Sequence, residues 1–304
     1  MSKGSGMGKL FITAGLVILL GVFISEQGFA ANVFSWNTKT VDIEKTVKAE
    51  GIRSVNIDGG RTDVKVVRGH SEAIEIRLDG RVKRDAADNI QLQADPRRDT
   101  LELKVEIPER FPFGMSFSDL NLTVELPEQV WENVKVQTVS GDVDIEELKG
   151  TNIDVHANSG DVTANDIEAG QVTLQAGSGN IESNAFRAKN LTFHVGSGDV
   201  SLSGGQAIIK GETSSGNIDV AVNELDQDMD LKAGSGDVTV KTANEPKSLT
   251  VQYNGGSGSG NIEWDNVTYK EKGEDGRTLK GVFGSGTTQL KVRTGSGNFT
   301  LGQD

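Results

Sequence analysis

One four-residue phrase recurs along the second half of the chain and restricts its fold more than any other feature. Ser-Gly-Asp or Ser-Gly-Asn followed by an apolar residue begins at Ser140, Ser159, Ser178, Ser197, Ser215, Ser235, Ser259 and Ser296. Successive serines lie 19, 19, 19, 18, 20, 24 and 37 residues apart. A period held over that many copies marks a stacked repeat, in which each unit buries its apolar surface against its neighbours. The flanks show what the unit is. Six residues before the first six serines stand Val134, Ile153, Val172, Leu191, Ile209 and Met229, and four before stand Val136, Val155, Leu174, Phe193, Gly211 and Leu231. Three residues after them stand Val143, Val162, Ile181, Val200, Ile218 and Val238; the column five after is mixed, from Ile145 and Ala164 through Ser183 to Leu202, Val220 and Val240. Alternation on both sides of a Ser-Gly turn specifies two half-buried strands per repeat and not a helix. Gly supplies backbone that other residues disfavour, and the Asp or Asn beside it can bond back to the main chain.

About 19 residues with two strands and two turns make one coil of a β-solenoid. Coils hydrogen-bond at about 4.8 Å, so eight of them stack into a rod of roughly 40 Å. The predicted fold is all-β: a single-stack β-solenoid over residues 131–304, preceded by a β-rich N-terminal cap over 35–130 and one N-terminal membrane-segment helix within 1–34. In Gly255–Gly260 an extra Ser-Gly pair lengthens one turn; counted from Ser257, Val251 and Tyr253 regain the inward columns. The 37-residue interval reads as about two periods, with Phe283-Gly284-Ser285-Gly286 a degenerate copy and Lys270–Arg277 a charged loop. Residues 35–130 lack the phrase but keep the alternation, as in Leu101-Glu102-Leu103-Lys104-Val105. A cap is needed there, because an open strand edge recruits other chains. Arg110-Phe111-Pro112-Phe113-Gly114 breaks the pattern and marks a junction.

The N-terminus is an export or anchor segment. Lys3 and Lys9 precede fifteen uncharged residues, Leu10–Ile24. That run is long for a signal peptide and short of the roughly 20 residues that span a bilayer. Gly28 and Ala30 suit cleavage before Ala31, whereas Gly28–Phe34 could extend an anchor, so both outcomes stay open. Lysines before the run and Glu26 after it place the remainder outside. The expectation is a single-pass membrane protein with its N-terminus inside and its C-terminal domain outside, or a protein secreted after cleavage near Ala30.

Composition removes whole classes of function. A net charge of −13 over 304 residues argues against a nucleic-acid phosphate backbone as partner. The absence of cysteine excludes disulfides, thiolate metal sites and cysteine nucleophiles. Of three histidines, His156 and His194 share one outward column with Gln175 between them. Two coils apart, they sit roughly 9.6 Å from each other, too far to share a metal. His70 reads as a loop residue. The column of Asp142, Asp161, Asn180, Asp199, Asn217, Asp237, Asn261 and Asn298 invites a calcium reading, but calcium wants converging carboxylates and half of these are Asn. Two bare charges about 4.8 Å apart repel by roughly 0.9 kcal/mol in water, and alternating Asp with Asn lowers that cost. The column is therefore read as a ladder of turn residues. No strand-to-helix Gly-x-Ser-x-Gly elbow occurs, and Gly-Ser-Gly-Asn-Ile leads into a strand where a nucleotide loop would lead into a helix. Trp36 suits a membrane interface, Trp131 a cap over the first coil, and Trp264 the core. No catalytic, cofactor-binding or metal-ligating residue is assigned, and no cofactor is expected.

The repeated Ser-Gly-Asp/Asn-Val/Ile phrases behind a short export segment resemble a bacterial adhesin-like family of unknown function whose members form β-solenoids. The resemblance covers most of residues 40–304 and implies an exported, envelope-associated protein; its motif is a structural turn and carries no catalytic residue across. The expected function is a non-catalytic, membrane-tethered scaffold whose partner is a cell-wall polymer or an envelope protein. Its rivals are a polysaccharide-active β-helix enzyme working through acid clusters and a calcium-stabilised secreted binding module.

Overall fold

The computed structural model describes residues 38–107 and 119–304. The export segment, Trp36 and the Arg110–Gly114 junction lie outside them. The lead contributes β1 (Thr38–Lys48), β2 (Ser54–Gly60), β3 (Asp63–Arg68), β4 (Ala73–Lys83), the single helical turn α1 (Arg84–Ala87), β5 (Gln91–Arg97), β6 (Thr100–Glu106) and β7 (Asp119–Leu126). Strand pairs follow, each joined by its Ser-Gly turn: β8 (Val130–Thr138) and β9 (Val143–Glu146), β10 (Lys149–Ser159) and β11 (Val162–Asn165), β12 (Glu168–Ser178) and β13 (Ile181–Asn184), β14 (Arg187–Ser197) and β15 (Val200–Ser203). The last part holds β16 (Gln206–Ser215), β17 (Ile218–Val222), β18 (Met229–Ser235), β19 (Val238–Thr242), β20 (Leu249–Ser257), β21 (Gly260–Ile262), β22 (Thr268–Lys272), β23 (Thr278–Phe283), β24 (Thr288–Ser296) and β25 (Phe299–Gln303).

These strands form two facing sheets. The narrow sheet runs β1-β4-β7-β3-β9-β11-β13-β15-β17-β19-β25-β21, and the broad sheet β22-β23-β20-β24-β18-β16-β14-β12-β10-β8-β2-β6-β5. Within the repeats every neighbour is parallel, and apart from a one-residue shift between Arg187 and Asn190 the register holds, so that Ser159, Ser178, Ser197, Ser215 and Ser235 stack in one column. The predicted inward columns point between the sheets: Val155, Leu174, Val162, Ile181, Val200 and Val238 are fully or almost fully buried. A third inward column, two residues before each serine, holds Thr138, Ala157, Ala176, Val195, Thr213, Ala233 and Thr294. Its hydroxyls are satisfied by turn carbonyls: Thr138 Oγ1 donates to Gly141 at 2.9 Å within its own turn, and Thr213 Oγ1 to Gly198 of the preceding coil at 3.2 Å.

The stack has ten parallel coils where eight phrases are visible, and its order departs from the chain at both ends. The β2/β3 coil packs directly on β8/β9, and β6/β7, later in sequence, lies outside it. At the other end the final coil, β24/β25, is inserted between β18/β19 and β20/β21. The region 35–130 thus supplies two coils of the stack together with covering strands. The expectation that Phe283–Gly286 is a degenerate coil is corrected: it is the turn from β23 into β24, with Gly284 at φ 53° and Gly286 at φ 70°. The register of the lengthened turn follows Ser257, which pairs with Ser296. Gly260 therefore stands beside Phe299, and Asn261 faces outward beside Thr300.

The insertion has a physical logic. A parallel stack that simply stopped would expose unpaired N–H and C=O groups along its last coil. Here β23 folds back antiparallel onto β20 and β22 onto β23, while β4 covers β7, β1 covers β4 and β5 covers β6, all antiparallel. The charged stretch 270–277 is the tip of the β22–β23 hairpin, and every residue of β22 is exposed. Lysines and acids on such an edge discourage pairing with other chains. Trp131 does not cap the stack. It is buried on β8, in the third coil from the end, because Val130 takes the outward position and directs the indole between the sheets. Trp264 packs half-buried against the core.

Candidate interaction surface

The Asp/Asn column is the first candidate to examine. Each Oδ1 accepts the backbone N–H of the corresponding residue in the next coil: Asp142 from Asp161 at 2.8 Å, Asp161 from Asn180 at 2.7 Å, Asn180 from Asp199 at 2.9 Å. The series continues through Asp199, Asn217 and Asp237 to Asn298, which accepts from Ser259 at 3.1 Å. It starts one coil earlier than the phrase reveals, since Asp63 accepts the N–H of Asp142 at 2.9 Å. The expected bond back to the residue's own turn is replaced by one between coils, because the parallel stack brings an orphan N–H within reach of every rung. Asn261 is not part of this ladder; its slot is taken by Ser259. Among the described residues no group of three or more His, Asp or Glu is arranged to hold a metal ion.

The outer face of the broad sheet is the second candidate. Its middle row runs Gln137, His156, Gln175, His194, Glu212, Lys232 and Arg293, one residue per coil. Neighbours in the row hold one another: His156 Nδ1 lies 3.2 Å from Gln175 Oε1, His194 Nδ1 3.1 Å from Glu212 Oε1, and Lys232 Nζ 3.3 Å from Glu212 Oε2. The hydrogen bond from Lys232, followed by its charge and the presence of His194, holds the Glu212 carboxyl below the usual carboxylate range. Two rows away Asn152 Nδ2 donates to Asn133 Oδ1 at 2.9 Å. The two column histidines are therefore placed as predicted, each in its own coil with Gln175 between them. His70 is exposed in the bend after β3.

The narrow face differs in sign. Asp144, Glu146 and Glu182 point outward from it, and Lys65 lies 3.0 Å from Glu146 and 3.1 Å from Asp144. Its hydrogen bonds to Glu146 and then Asp144 hold the Lys65 ammonium above the ordinary lysine range. The concavities of the broad face are shallow and open. One lies near its N-terminal end, among Asn56, Asp58, Asp95, Glu102 and Lys104; another lies near its C-terminal end, among Gln252, Asn254, Lys280, Lys291 and Arg293. Neither was legible in sequence, since each joins residues from coils that are not consecutive in the chain.

Two parallel sheets wound coil by coil, covered by antiparallel strands at the N-terminal end and, on the broad sheet, at the C-terminal end, and presenting polar ladders, define a two-sheeted β-solenoid. The chain belongs to the Toastrack DUF4097 family, whose sequence model matches residues 52–302. Among solved structures, a "putative adhesin" from Bacteroides fragilis has the same fold, with a TM-score of 0.52 and 13% identity over 88% of this chain and 98% of that one. A "putative adhesin" from Parabacteroides distasonis gives a TM-score of 0.47 at 13% identity, covering 86% of this chain and 97% of its own. A "putative lipid binding protein" from the same species gives 0.45 at 15% identity, covering 87% and 97%. No curated protein matches the sequence.

Proposed function

We propose that the chain is a non-catalytic, extracytoplasmic scaffold, tethered by its N-terminal segment, that binds a cell-envelope polymer or envelope protein along its broad sheet. The observation that carries this reading is the broad face itself: ten parallel coils present outward rows that run unbroken from one cap to the other. Side chains held by their own row neighbours are ordered before a partner arrives, which lowers the entropic cost of binding. The Bacteroides fragilis protein of the same fold is named a "putative adhesin", which supports the same class of role. The combination of anchor, β-rich lead and repeats also looks like LiaG, a membrane protein encoded with a cell-envelope stress system, so the proposed setting is the envelope under stress. In this reading residues 1–34 anchor the protein with its N-terminus inside, 35–130 supply the first two coils and their covering strands, and 131–304 form the repeats; release by cleavage near Ala30 would give a secreted form of the same scaffold.

The test is co-sedimentation of the full-length chain, in a nonionic detergent, with isolated cell walls. Saturable binding is expected, without release of soluble sugar from a polysaccharide panel. A chain that stays in the supernatant, with walls and with solubilised envelope proteins alike, contradicts the proposal; released sugar would make the protein an enzyme.

A further inference from the structure

The inserted final coil assembles a charge arrangement that the sequence does not show. Along five adjacent strands of the broad face, β16, β18, β24, β20 and β23, one outward row reads Lys210, Asp230, Lys291, Gln252, Lys280. In the row beside it stand Glu212, Lys232 and Arg293. Five cations thus meet on one patch of a chain that carries 31 Lys and Arg against 44 Asp and Glu.

The acids inside the patch are already engaged. Glu212 is held by Lys232 at 3.3 Å and by His194 at 3.1 Å, and Asp230 accepts from Arg293 Nη2 at 2.6 Å. Among the described residues Lys210, Lys280 and Lys291 have no ion-pair partner; Glu271 stands opposite Lys280 in the β22–β23 register without bonding to it. Every second strand of one row therefore offers a free ammonium, at intervals of roughly 9.6 Å along the stack. Lysine suits phosphate as a point charge and does not demand a planar, two-pronged partner.

We infer that this end of the broad face binds a linear phosphodiester polyanion laid along the stack over Lys210, Lys291 and Lys280. The inference rests on the scaffold reading and gives it a partner chemistry. A thread fits better than a plane: Asp228 stands beside the row, its Oδ1 taken by the Gln289 N–H, Glu271 ends the row beyond Lys280, and the chain's net charge of −13 repels an extended anionic surface. A single strand of polymer touches the three ammoniums, runs alongside Asp228 and leaves the row before Glu271.

The test uses the full-length chain in neutral-lipid nanodiscs, titrated with poly(glycerol phosphate) and with uncharged dextran. Three neutralised phosphates give a log–log salt slope of about 2, so affinity for the polyanion falls roughly 15- to 20-fold between about 50 and 200 mM salt. Dextran is expected not to compete. The triple variant Lys210→Gln/Lys280→Gln/Lys291→Gln loses roughly tenfold or more in affinity at low salt. The triple Lys→Arg variant keeps it, and the control Lys135→Gln/Lys189→Gln/Lys241→Gln also binds as the parent does. Melting curves show whether each variant is folded, and the Lys→Arg protein keeps the test decisive should the glutamine variant unfold. The inference is overturned by absence of polyanion binding, by equal loss in the control triple, or by binding to phosphatidylglycerol vesicles in place of the polymer. Walls that still bind the glutamine triple as well as the parent would leave the scaffold standing and remove this site from it; loss of wall binding by the parent removes both.

Discussion

At Gly160 a Cβ would overlap the carbonyl oxygen of Gly141 in the preceding coil, and at Gly179 it would overlap that of Gly160. The Ser-Gly turn is thus a place where two backbones touch, and only glycine lets successive coils close to hydrogen-bonding distance. Gly160→Ala should cost roughly 1–3 kcal/mol through overpacking, read as a lower urea midpoint at unchanged slope. The opposite corner works differently. Glu147, Asp166 and Ala185 occupy left-handed backbone at φ 56°, 53° and 54°, and Gly204 takes the same place at 63°. Ala185→Gly relieves a conformation that costs about 1–2 kcal/mol for an L residue and adds glycine's entropy loss of about 0.5–1 kcal/mol, so a net gain of roughly 0–1.5 kcal/mol is expected in the same assay. The phrase made the first corner legible. The second has no fixed residue type and left no mark. Nor could the columns show that the Phe193 ring fills the space of the missing Gly211 side chain, a pair 18 residues apart. Gly211→Ala alone should destabilise; adding Phe193→Leu should recover part of the loss, a coupling measurable as a double-mutant cycle.

At the scale of strands and coils, the inward columns told which residues face the core, and period 2 told that strands carry them. What the period could not tell is which coil a strand joins once the spacing breaks. Nothing in the sequence places Ser296 between Ser235 and Ser257; that follows from closing the stack with a returning hairpin. Because the chain lacks cysteine, the order can be read directly. Oxidised Ser235→Cys/Ser296→Cys should form an intramolecular disulfide, since adjacent strands place Cα atoms about 4.8 Å apart. Ser235→Cys/Ser257→Cys, two strands apart, should not; sequential stacking predicts the reverse. The row contact at Glu212 has a pH signature. Its carboxyl titrates below its unfolded value, so the contribution is full above about pH 4.3 and is lost as pH falls through the lower folded value. The pair is exposed, so Glu212→Gln should change the acid limb of the stability curve by less than about 1 kcal/mol.

For the whole molecule, the Asp/Asn ladder is tied up by backbone N–H groups from end to end. Stability built on such a ladder and on a continuous apolar core does not depend on a bound ion. Chelator and calcium should therefore leave the melting temperature unchanged, and a calcium-dependent shift of several degrees would give the column a metal-binding role. The face that meets a partner is the larger question, and the missing cysteines make it accessible. Single cysteines at Thr192, outward on the broad sheet, and at Ser201, outward on the narrow sheet, can each carry a bulky maleimide-linked polymer without touching the core. Co-sedimentation of the two labelled full-length proteins with isolated cell walls tests the scaffold most directly. The label at Thr192→Cys should abolish saturable binding and the label at Ser201→Cys should leave it intact. Equal binding by both, or loss only at the narrow face, would contradict the account.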